Sequence, residues 1–259
     1  MQSTNPMDPR ALSSKGRAEL SEGRSDESLY ELVGDLLKPS VSPHAVVVDV
    51  GCGRGMLWPR VAAIQPRYIG MDVVAYQDFP AECEFVEADL NAQWPLNSNY
   101  ADAMVSIETI EHMENPRAFV REIARVAKPG GLVVISTPNQ LSLLSKLCLV
   151  LKNEFVQFQE RPGLYPAHIT ALLETDLRRI ALECGLREPL ANYSGHGRIP
   201  FTERSYPRFV SRMFPRAFSD NIFLVARKPP ADYGIACTFT KSSSAAVRPL
   251  AETLSDPGR

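Results

Sequence analysis

The stretch "AVVVDVGCGRG" (45–55) decides the fold, because a short apolar run is followed at once by three closely spaced glycines. The β-branched run at 45–50 predicts a strand that is buried on both faces. Gly51, Gly53 and Gly55 let the chain turn sharply and let a ligand approach bare backbone, although a plain strand-to-helix turn has the same composition. Met56 stands where the G-x-G-x-x-G pattern requires its third glycine, which counts against a nicotinamide or flavin site.

Strands and helices alternate along the rest of the chain. Apolar runs predict strands at 67–73, 83–89, 102–108 and 132–137, with shorter candidates near 187–193 and 221–227. Helical spacing of apolar residues predicts helices at 25–38, 56–65, 115–127 and 174–186. This order predicts an α/β fold of the Rossmann-like, doubly wound type, with a mostly parallel seven-stranded sheet and helices on both faces. Ligands of such sheets bind at the carboxyl ends of the strands.

Composition suggests one domain with two insertions. Residues 1–26 and 229–259 lack sustained apolar periodicity, so both are expected to be poorly ordered, which leaves a domain at 27–228 with insertions at 139–167 and 195–216. The net charge of −2 gives no global preference for nucleic acid or an anionic membrane. No apolar run approaches the ~18–20 residues that span a bilayer, and the first residues do not resemble a signal peptide. Five scattered cysteines favour a reduced, cytoplasmic location without disulfides or a zinc site.

Two aspartates end neighbouring predicted strands. Asp72 lies 21 residues after Gly51, where a carboxylate can accept hydrogen bonds from both hydroxyls of a ribose. Asp89 ends the next strand, where a carboxylate can meet an adenine amino group. Either aspartate alone could be a solvated strand end or a helix cap. Together with the glycine turn they predict a site for a nucleoside.

The ordered set of motifs resembles the class I methyltransferases that use S-adenosylmethionine. The matching stretches are "VVVDVGCGRG" (46–55), "YIGMD" (68–72), "FVEADL" (85–90), "SIETIEHMENP" (106–116) and "RVAKPGGLVVISTPN" (125–139). The resemblance implies that S-adenosylmethionine is the cofactor and that this sequence holds it with the following residues. Asp49 and the backbone of Gly51, Cys52, Gly53 and Gly55 would hold the methionine part, Asp72 the ribose, Asp89 and Leu90 the adenine, and the carbonyl of Ile107 the amino group.

The stretch "IETIEHM" (107–113) places Glu108, Glu111 and His112 directly after the fourth strand, which in this family borders the methyl group of the cofactor. Three interpretations stay open. The acidic residues could favour the start of the 115–127 helix while His112 packs in the loop. Glu111 or His112 could act as a general base for a hydroxyl acceptor. Alternatively, Glu108, Glu111 and His112, which would share one face of a helical turn, could bind a divalent metal ion together with the distant His168.

The metal interpretation rests on a resemblance. The pattern E-x-x-E-H followed by a distant histidine is similar to two metal-dependent families, the small-RNA 2′-O-methyltransferases and the O-methyltransferases of ubiquinone biosynthesis. Ligands of mixed carboxylate and imidazole type suit Mn²⁺, Fe²⁺ or Zn²⁺ better than Mg²⁺.

The two insertions are candidates for acceptor recognition. The first contains "LSLLSKLCLVLKNEFVQF" (141–158), which predicts a lid over the acceptor, a packed helix, or an interfacial helix in peripheral contact with a membrane. The second interleaves arginines with aromatic residues. That pattern can grip RNA, hold an anionic acceptor, or pack its aromatic face on the core with the arginines in solvent.

We therefore expect an S-adenosylmethionine-dependent methyltransferase that acts on oxygen of a small-molecule, sugar or lipid-linked acceptor. One alternative is an RNA 2′-O-methyltransferase, which is disfavoured because the chain has no room for the additional RNA-binding domains of that family. The other is a non-catalytic protein that binds S-adenosylmethionine or a partner, since fold does not fix function.

Overall fold

The computed structural model describes residues 14–20, 23–159, 168–202 and 204–231. Their strands form one seven-stranded sheet in the order β3-β2-β1-β4-β5-β7-β6. Strands β1 to β5 run parallel, and β7 is antiparallel to both β5 and β6. The predicted fold class is confirmed. The strands are β1 Val46–Val50, β2 Arg67–Asp72, β3 Glu84–Glu87, β4 Ala101–Ser106, β5 Ala127–Pro138, β6 Arg187–Tyr193 and β7 Asn221–Arg227.

Eight helices lie in the described ranges. They are α1 Ser14–Leu20, α2 Glu27–Leu37, α3 Trp58–Val61, α4 Pro116–Val126, α5 Leu143–Lys152, α6 Glu174–Glu183, α7 Arg208–Met213 and α8 Pro215–Phe218. The helix predicted over 56–65 is shorter than expected, because α3 passes into a 3₁₀ turn at Ala62–Ile64 that ends at Gln65 with φ 55°. In these ranges no helix combines the length and the apolar character needed to cross a membrane.

Because successive side chains of a strand point to opposite faces of the sheet, the core has two layers, one on each face. Val48 and Val50 of β1 point to the side that buries Phe119 and Ile123 of α4, together with residues of α6. Val47 lies on the opposite side, in a cluster with residues of α2 and α3. Both faces are therefore covered by helices, which explains why β1 reads as a continuous apolar run.

Strand β5 begins earlier than its sequence predicts. "KPGG" was expected to separate a helix from a strand at 132–137, whereas pairing with β4 already begins at Ala101↔Ala127. The register then shifts, and the next pair is Ala103↔Leu132. Four residues between the two pairs bulge out of the ladder, and Gly130, with φ 79°, permits this irregularity.

Part of the N-terminal segment differs from its expected disorder. Residues 14–20 form α1, whose Ala18 carbonyl accepts a hydrogen bond from the Tyr76 hydroxyl (2.9 Å). Ser14 donates to the carboxylate of Asp89 (3.3 Å). Residues 23–26 and 229–231, for which disorder was also expected, are within the described ranges. Positions 1–13, 21–22 and 232–259 lie outside them, as do 160–167 of the first insertion and Glu203 of the second.

The layered core predicts a large difference between two phenylalanines. Phe223 of β7 is fully buried, whereas Phe209 of α7 exposes 67% of its surface. We expect Phe223→Ala to lower the free energy of unfolding by about 3–5 kcal/mol, because the substitution leaves a cavity in a close-packed layer. Phe209→Ala should lower it by less than about 0.5 kcal/mol. Urea denaturation followed by circular dichroism measures both, and equal effects would contradict the described packing.

Candidate active site

A cleft opens at the carboxyl ends of β1, β2 and β4, where the fold predicts ligand binding. Six of the nine residues expected to hold the cofactor line it: Gly51, Gly53, Asp72, Asp89, Leu90 and Ile107. Further lining comes from the N-terminal segment, helix α2, the segments that follow β2, β3 and β4, and residues in or next to the first insertion: Ser14, Ala18, Gly23, Arg24, Ser25, Tyr30, Val73, Asn91, Glu108, Thr109, His112, Met113, Gln157 and His168.

The turn after β1 brings bare backbone to this cleft. Gly51 has φ 73°, and a Cβ atom there would lie 2.2 Å from the Oγ1 atom of Thr109. Gly53 has φ 50°, and its Cβ would lie 2.3 Å from the carbonyl oxygen of Gly23. Neither position has room for a side chain, and both backbone angles disfavour one. The two glycines therefore fit the cradle that the methionine part of the cofactor requires.

Asp72 presents a carboxylate at the end of β2 that its own backbone surroundings hold in place. Its Oδ2 atom accepts from the Gly53 amide (2.9 Å), and its Oδ1 atom accepts from the amides of Val73 and Val74 (2.7 and 3.3 Å). Burial raises the pKa of Asp72, and these hydrogen bonds oppose the rise. A carboxylate offers about four acceptor positions, so one that lines the cleft fits a ribose hydroxyl.

Three expected cofactor residues are not among the residues that line the cleft. Asp49 is 2% exposed and accepts a hydrogen bond from the hydroxyl of Tyr68, one strand away. Cys52 is buried, and the backbone of Gly55 lies against Pro80 and Phe79. In the structure these three residues are packed against other parts of the protein. Their direct contact with a cofactor stays a prediction.

Burial in this position makes ionisation of the Asp49 carboxyl group less favourable. Burial, with a further contribution from the charge of Asp72, raises its pKa to about 7, although the hydrogen bond from Tyr68 lowers it. The neutral carboxyl group is thus favoured in the folded protein below about pH 7.

A second group of polar residues lies at the cleft beyond the glycine turn. One ligand-type atom from each of Glu111, His112 and His168 lies within 4.8 Å of the others. The two imidazole rings meet edge to face with their centroids 4.6 Å apart. His168 reaches this place because the amides of Ile169 and Thr170 both donate to the carbonyl oxygen of Glu111 (3.0 Å each). The structure therefore brings together residues that are 57 positions apart in the sequence.

The hydrogen bonds of His168 define its protonation. The carbonyl oxygen of Gln157 lies 2.9 Å from its Nδ1 atom and can only accept, so Nδ1 carries the hydrogen. Burial and the neighbouring His112 lower the pKa of His168 to about 4. His168 is therefore neutral near pH 7, and its Nε2 atom has the lone pair that binds a proton or a metal.

Glu111 is a buried carboxyl group with incomplete hydrogen bonding. It is fully buried, and its Oε2 atom accepts from the Thr137 hydroxyl (3.1 Å). Its Oε1 atom has no hydrogen-bond partner within the described part of the chain. Burial, and then the charge of Glu108, raise its pKa well above the usual value. A cation beside Oε1 would complete this site, since an unpaired buried oxygen is costly.

Glu108 does not share a helical face with Glu111 and His112, so that expectation was wrong. Glu108 has φ 48°, which turns the chain out of helical conformation before the 3₁₀ turn at Ile110–His112. Its carboxylate accepts a hydrogen bond from Asn221 at the start of β7. The atoms that come within 4.8 Å of one another belong to Glu111, His112 and His168 and not to Glu108.

The helix-end interpretation has less support from the contacts. The side chain of Asn115 accepts from the Ala118 amide and so caps α4. Glu111 instead points into the core towards Thr137. Its carboxyl group therefore lies with Thr137 and the two histidines and does not contact the start of the helix.

Sequence reasoning missed the contribution of the N-terminal segment. Gly23, Arg24 and Ser25 line the cleft, and the carbonyl oxygen of Gly23 accepts from the Arg54 amide in the glycine turn (3.2 Å). No local sequence pattern predicts this contact, because it joins an irregular segment to a turn 31 residues away. Thr109 belongs to the stretch "IETIEHM", but only the folded structure shows that its side chain lies close to Gly51.

The raised pKa of Asp49 predicts a pH-dependent stability. An acid with a folded pKa of about 7 and an ordinary value of 3.8 binds protons more strongly in the folded state, so stability falls as pH rises between these values. Asp49→Asn keeps an acceptor for Tyr68 and removes the titration. From pH 4 to pH 8 we expect the variant to gain up to about 4 kcal/mol relative to the original protein. Urea titrations of both proteins without ligand measure this gain, and the same difference in the free energy of unfolding at pH 4 and at pH 8 would contradict the prediction.

Comparisons with known proteins agree with this geometry. Residues 22–187 match the family described as "Methyltransferase domain". A "Probable S-adenosylmethionine-dependent methyltransferase" of Mycolicibacterium smegmatis is 26% identical over 180 residues, which cover 67% of this chain and 65% of that protein. The mitochondrial ubiquinone biosynthesis O-methyltransferase of Dictyostelium discoideum is 27% identical over 129 residues, or 42% and 40% of the two chains. The chain thus matches about two fifths to two thirds of the length of these relatives.

A solved structure shares the fold at low sequence identity. The S-adenosylmethionine-dependent methyltransferase of Archaeoglobus fulgidus superposes with a TM-score of 0.58 at 18% identity, covering 80% of this chain and 97% of its own. Because the family match extends over more than half of the sequence, the chain belongs to the class I S-adenosylmethionine-dependent methyltransferase family.

Proposed function

We propose that this protein transfers the methyl group of S-adenosylmethionine to oxygen of a small-molecule, sugar or lipid-linked acceptor. The observation that carries the proposal is the position of His112 and His168, which line the same cleft as Gly51, Gly53 and Asp72. A proton acceptor beside a cofactor cradle is the arrangement that a hydroxyl acceptor needs. Similarity to ubiquinone biosynthesis O-methyltransferases supports oxygen as the acceptor atom.

The cofactor carries its methyl group on a positively charged sulfur. This sulfur is a good leaving group, because it departs as a neutral thioether. The protein is left with two tasks, which are to align the acceptor with that methyl group and to take the hydroxyl proton. As a bond forms between the acceptor oxygen and the methyl carbon, the carbon–sulfur bond of the donor would break and release a thioether. The acceptor oxygen would also lose its hydrogen, so a base must receive one proton per turnover.

We assign the proton to His112. It lines the cleft, whereas Glu111 lies behind it in the core. A proton on the imidazole of His112 would face the carboxyl group of Glu111 within the 4.8 Å cluster. The positive charge would in turn lower the pKa of Glu111 and favour its ionised form. His168, which burial keeps neutral and which the carbonyl oxygen of Gln157 orients, borders the same position.

A metal ion held by Glu111, His112 and His168 is the second candidate for the same step. The donor set of two imidazoles and one carboxylate suits Zn²⁺, Fe²⁺ or Mn²⁺. The Oε1 atom of Glu111 without a hydrogen bond in the described residues is the observation that favours it. Such an ion would lower the pKa of a bound hydroxyl group. Glu108, held by Asn221, would not belong to this ligand set.

The first insertion fits a lid over the acceptor within the proposed domain at 27–228. Ser145 is the buried residue of α5, while Val150 and Leu151 expose 79% and 62% of their surfaces. The segment after α5 contributes Gln157 to the cleft and an oxygen that orients His168. Packing alone does not account for an apolar helix with this exposure.

Turnover to S-adenosylhomocysteine tests the proposal. Purified protein would be incubated with S-adenosylmethionine and fractionated acceptor pools that contain hydroxylated small molecules, lipids and RNA, with and without ribonuclease treatment. We expect turnover that survives ribonuclease. Turnover abolished by ribonuclease would identify the alternative, an RNA 2′-O-methyltransferase. Cofactor binding without turnover on any pool would identify the non-catalytic alternative.

Substitutions then separate the roles of the cluster. If His112 is the base, we expect His112→Ala to lower kcat about 10²–10⁴-fold, while a chelator leaves the rate unchanged. If a metal binds, the chelator should abolish turnover and one added ion should restore it, and His168→Ala should be as damaging as His112→Ala. Glu114→Gln is the matched control, because Glu114 is an exposed glutamate of the same loop. Full activity of His112→Ala, His168→Ala and Glu111→Gln would leave only the helix-end interpretation.

The glycine turn predicts a selective loss of cofactor binding. Gly51→Ala places a Cβ atom against Thr109, whereas a Cβ at Gly130 meets no atom within 4 Å although its φ of 79° is similar. Both variants carry the backbone strain of about 1–2 kcal/mol for an L-residue in the left-handed region. We expect only Gly51→Ala to weaken S-adenosylhomocysteine binding, by about 10-fold or more, as measured by titration calorimetry. Equal affinities of the two variants would contradict the assigned cradle.

A further inference from the structure

The second insertion divides its aromatic residues into two groups. The ring of Tyr206 packs against that of Phe218, just beyond the insertion, with centroids 4.6 Å apart, and Ser211 of α7 is fully buried. By contrast, Phe209 and Phe214 expose 67% and 57% of their surfaces. The expected alternative of an aromatic face packed on the core therefore does not describe Phe209 and Phe214. Clustered, exposed apolar side chains mark an interaction site.

The exposed group follows the geometry of α7. Phe209 and Met213 are four positions apart and share one side of the helix, and Met213 is also 67% exposed. Arg208 and Arg212 form a neighbouring row with the same spacing, and both are exposed. We call these four residues and Phe214 the arginine–aromatic surface. A helix with apolar and basic rows side by side has the pattern of segments that lie in a membrane interface.

Charge separates this insertion from the rest of the protein. Residues 195–216 contain five arginines and one glutamate, a net charge of +4, although the whole chain has −2. Arg198 and Arg216 lie 3.0 and 3.7 Å from carboxylates of Asp220 and Glu174. Across the described ranges, no carboxylate lies within ion-pair distance of Arg208 or Arg212. Within these ranges, therefore, no ion pair offsets their charge, which favours an anionic partner.

We propose that the arginine–aromatic surface docks on an anionic lipid bilayer. Phe209, Met213 and Phe214 would enter the boundary between headgroups and acyl chains, and Arg208 and Arg212 would contact lipid phosphates. RNA fits less well, because Met213 has no ring on which a base can stack. A two-fold dimer through this surface is disfavoured, since it would bring like arginines face to face.

Docking here would place the cleft beside the headgroups. Asn139 donates from its Nδ2 atom to the carbonyl oxygens of Arg216 and Ser219 (2.9 and 2.8 Å), which joins the second insertion to the end of β5. Asn221, two residues beyond Ser219, holds Glu108 in the cleft. Delivery of a lipid-linked acceptor from the bilayer rests on the proposed function, whereas docking itself does not.

Vesicle flotation of the full chain tests the docking proposal. The probes are vesicles of phosphatidylcholine with and without phosphatidylglycerol. We expect flotation with the anionic vesicles and binding at least about 10-fold weaker to phosphatidylcholine alone. The pair Phe209→Ser and Phe214→Ser, and separately Arg208→Glu and Arg212→Glu, should each reduce anionic-vesicle binding about 10-fold or more. The matched control is Leu182→Ser with Arg179→Glu on α6, where both residues are exposed, and it should retain binding.

Three results would overturn the proposal. The first is no flotation with either vesicle, and the second is an equal loss in the α6 control. The third is that the surface variants instead abolish a dimer seen by light scattering or an RNA complex seen by gel shift. Calorimetry with S-adenosylhomocysteine accompanies each variant. Unchanged affinity there shows that the variant is folded, and it keeps failure of docking distinguishable from failure of the proposed function.

Discussion

Close contact between the backbone of Gly51 and the side chain of Thr109 is the constraint on which the cleft depends. It joins the end of β1 to the loop after β4 with no space for a Cβ atom. The same turn presents the Gly53 amide to Asp72 and the Gly51 amide to the Met71 carbonyl (2.9 and 2.8 Å). The carboxyl ends of three strands are thereby fixed to one another, and the cleft between them keeps bare backbone on one side.

The second property of the site is its excess of buried acid. Asp49, Asp72, Glu108 and Glu111 all have pKa values raised mainly by burial. Each receives at least one hydrogen bond, from Tyr68, from backbone amides, from Asn221 and from Thr137 respectively. Hydrogen bonds offset only part of the cost of burying a carboxylate. A cationic ligand or an imidazolium in the cleft would lower these pKa values, so the site is complementary to positive charge.

Local patterns predicted the parts of the fold that short sequences determine. Strands β1, β2, β4 and β7 and helices α2, α4 and α6 lie within a few residues of their expected positions, because apolar periodicity and caps such as Asn115 act over one or two turns. The start of β5 was misplaced, since the pairing of Ala127 with Ala101 depends on a neighbouring strand and not on "KPGG" itself. Glu108 was misplaced because a single positive φ cancels helical spacing.

Long-range contacts account for what the sequence could not predict at the site. Ser14 reaches Asp89 across 75 positions, and Gly23 reaches the glycine turn. Because its composition is polar, this segment resembles a disordered end. Its own sequence does not indicate which part of the domain it packs against. His168 could be named only through a resemblance, because the backbone bonds that hold it beside His112 connect two separate loops.

Glu111 has two separable roles in this arrangement. Its carbonyl oxygen accepts the amides of Ile169 and Thr170 and so sets the position of His168, while its carboxyl group accepts from Thr137 beside the imidazoles. A change of side chain removes the acid and keeps the carbonyl, so the tether that positions His168 does not require the carboxylate. The chemistry of Glu111 can therefore be altered while the geometry of the histidine pair is retained. Any change in the pH dependence of turnover in Glu111→Gln would then report on the acid itself.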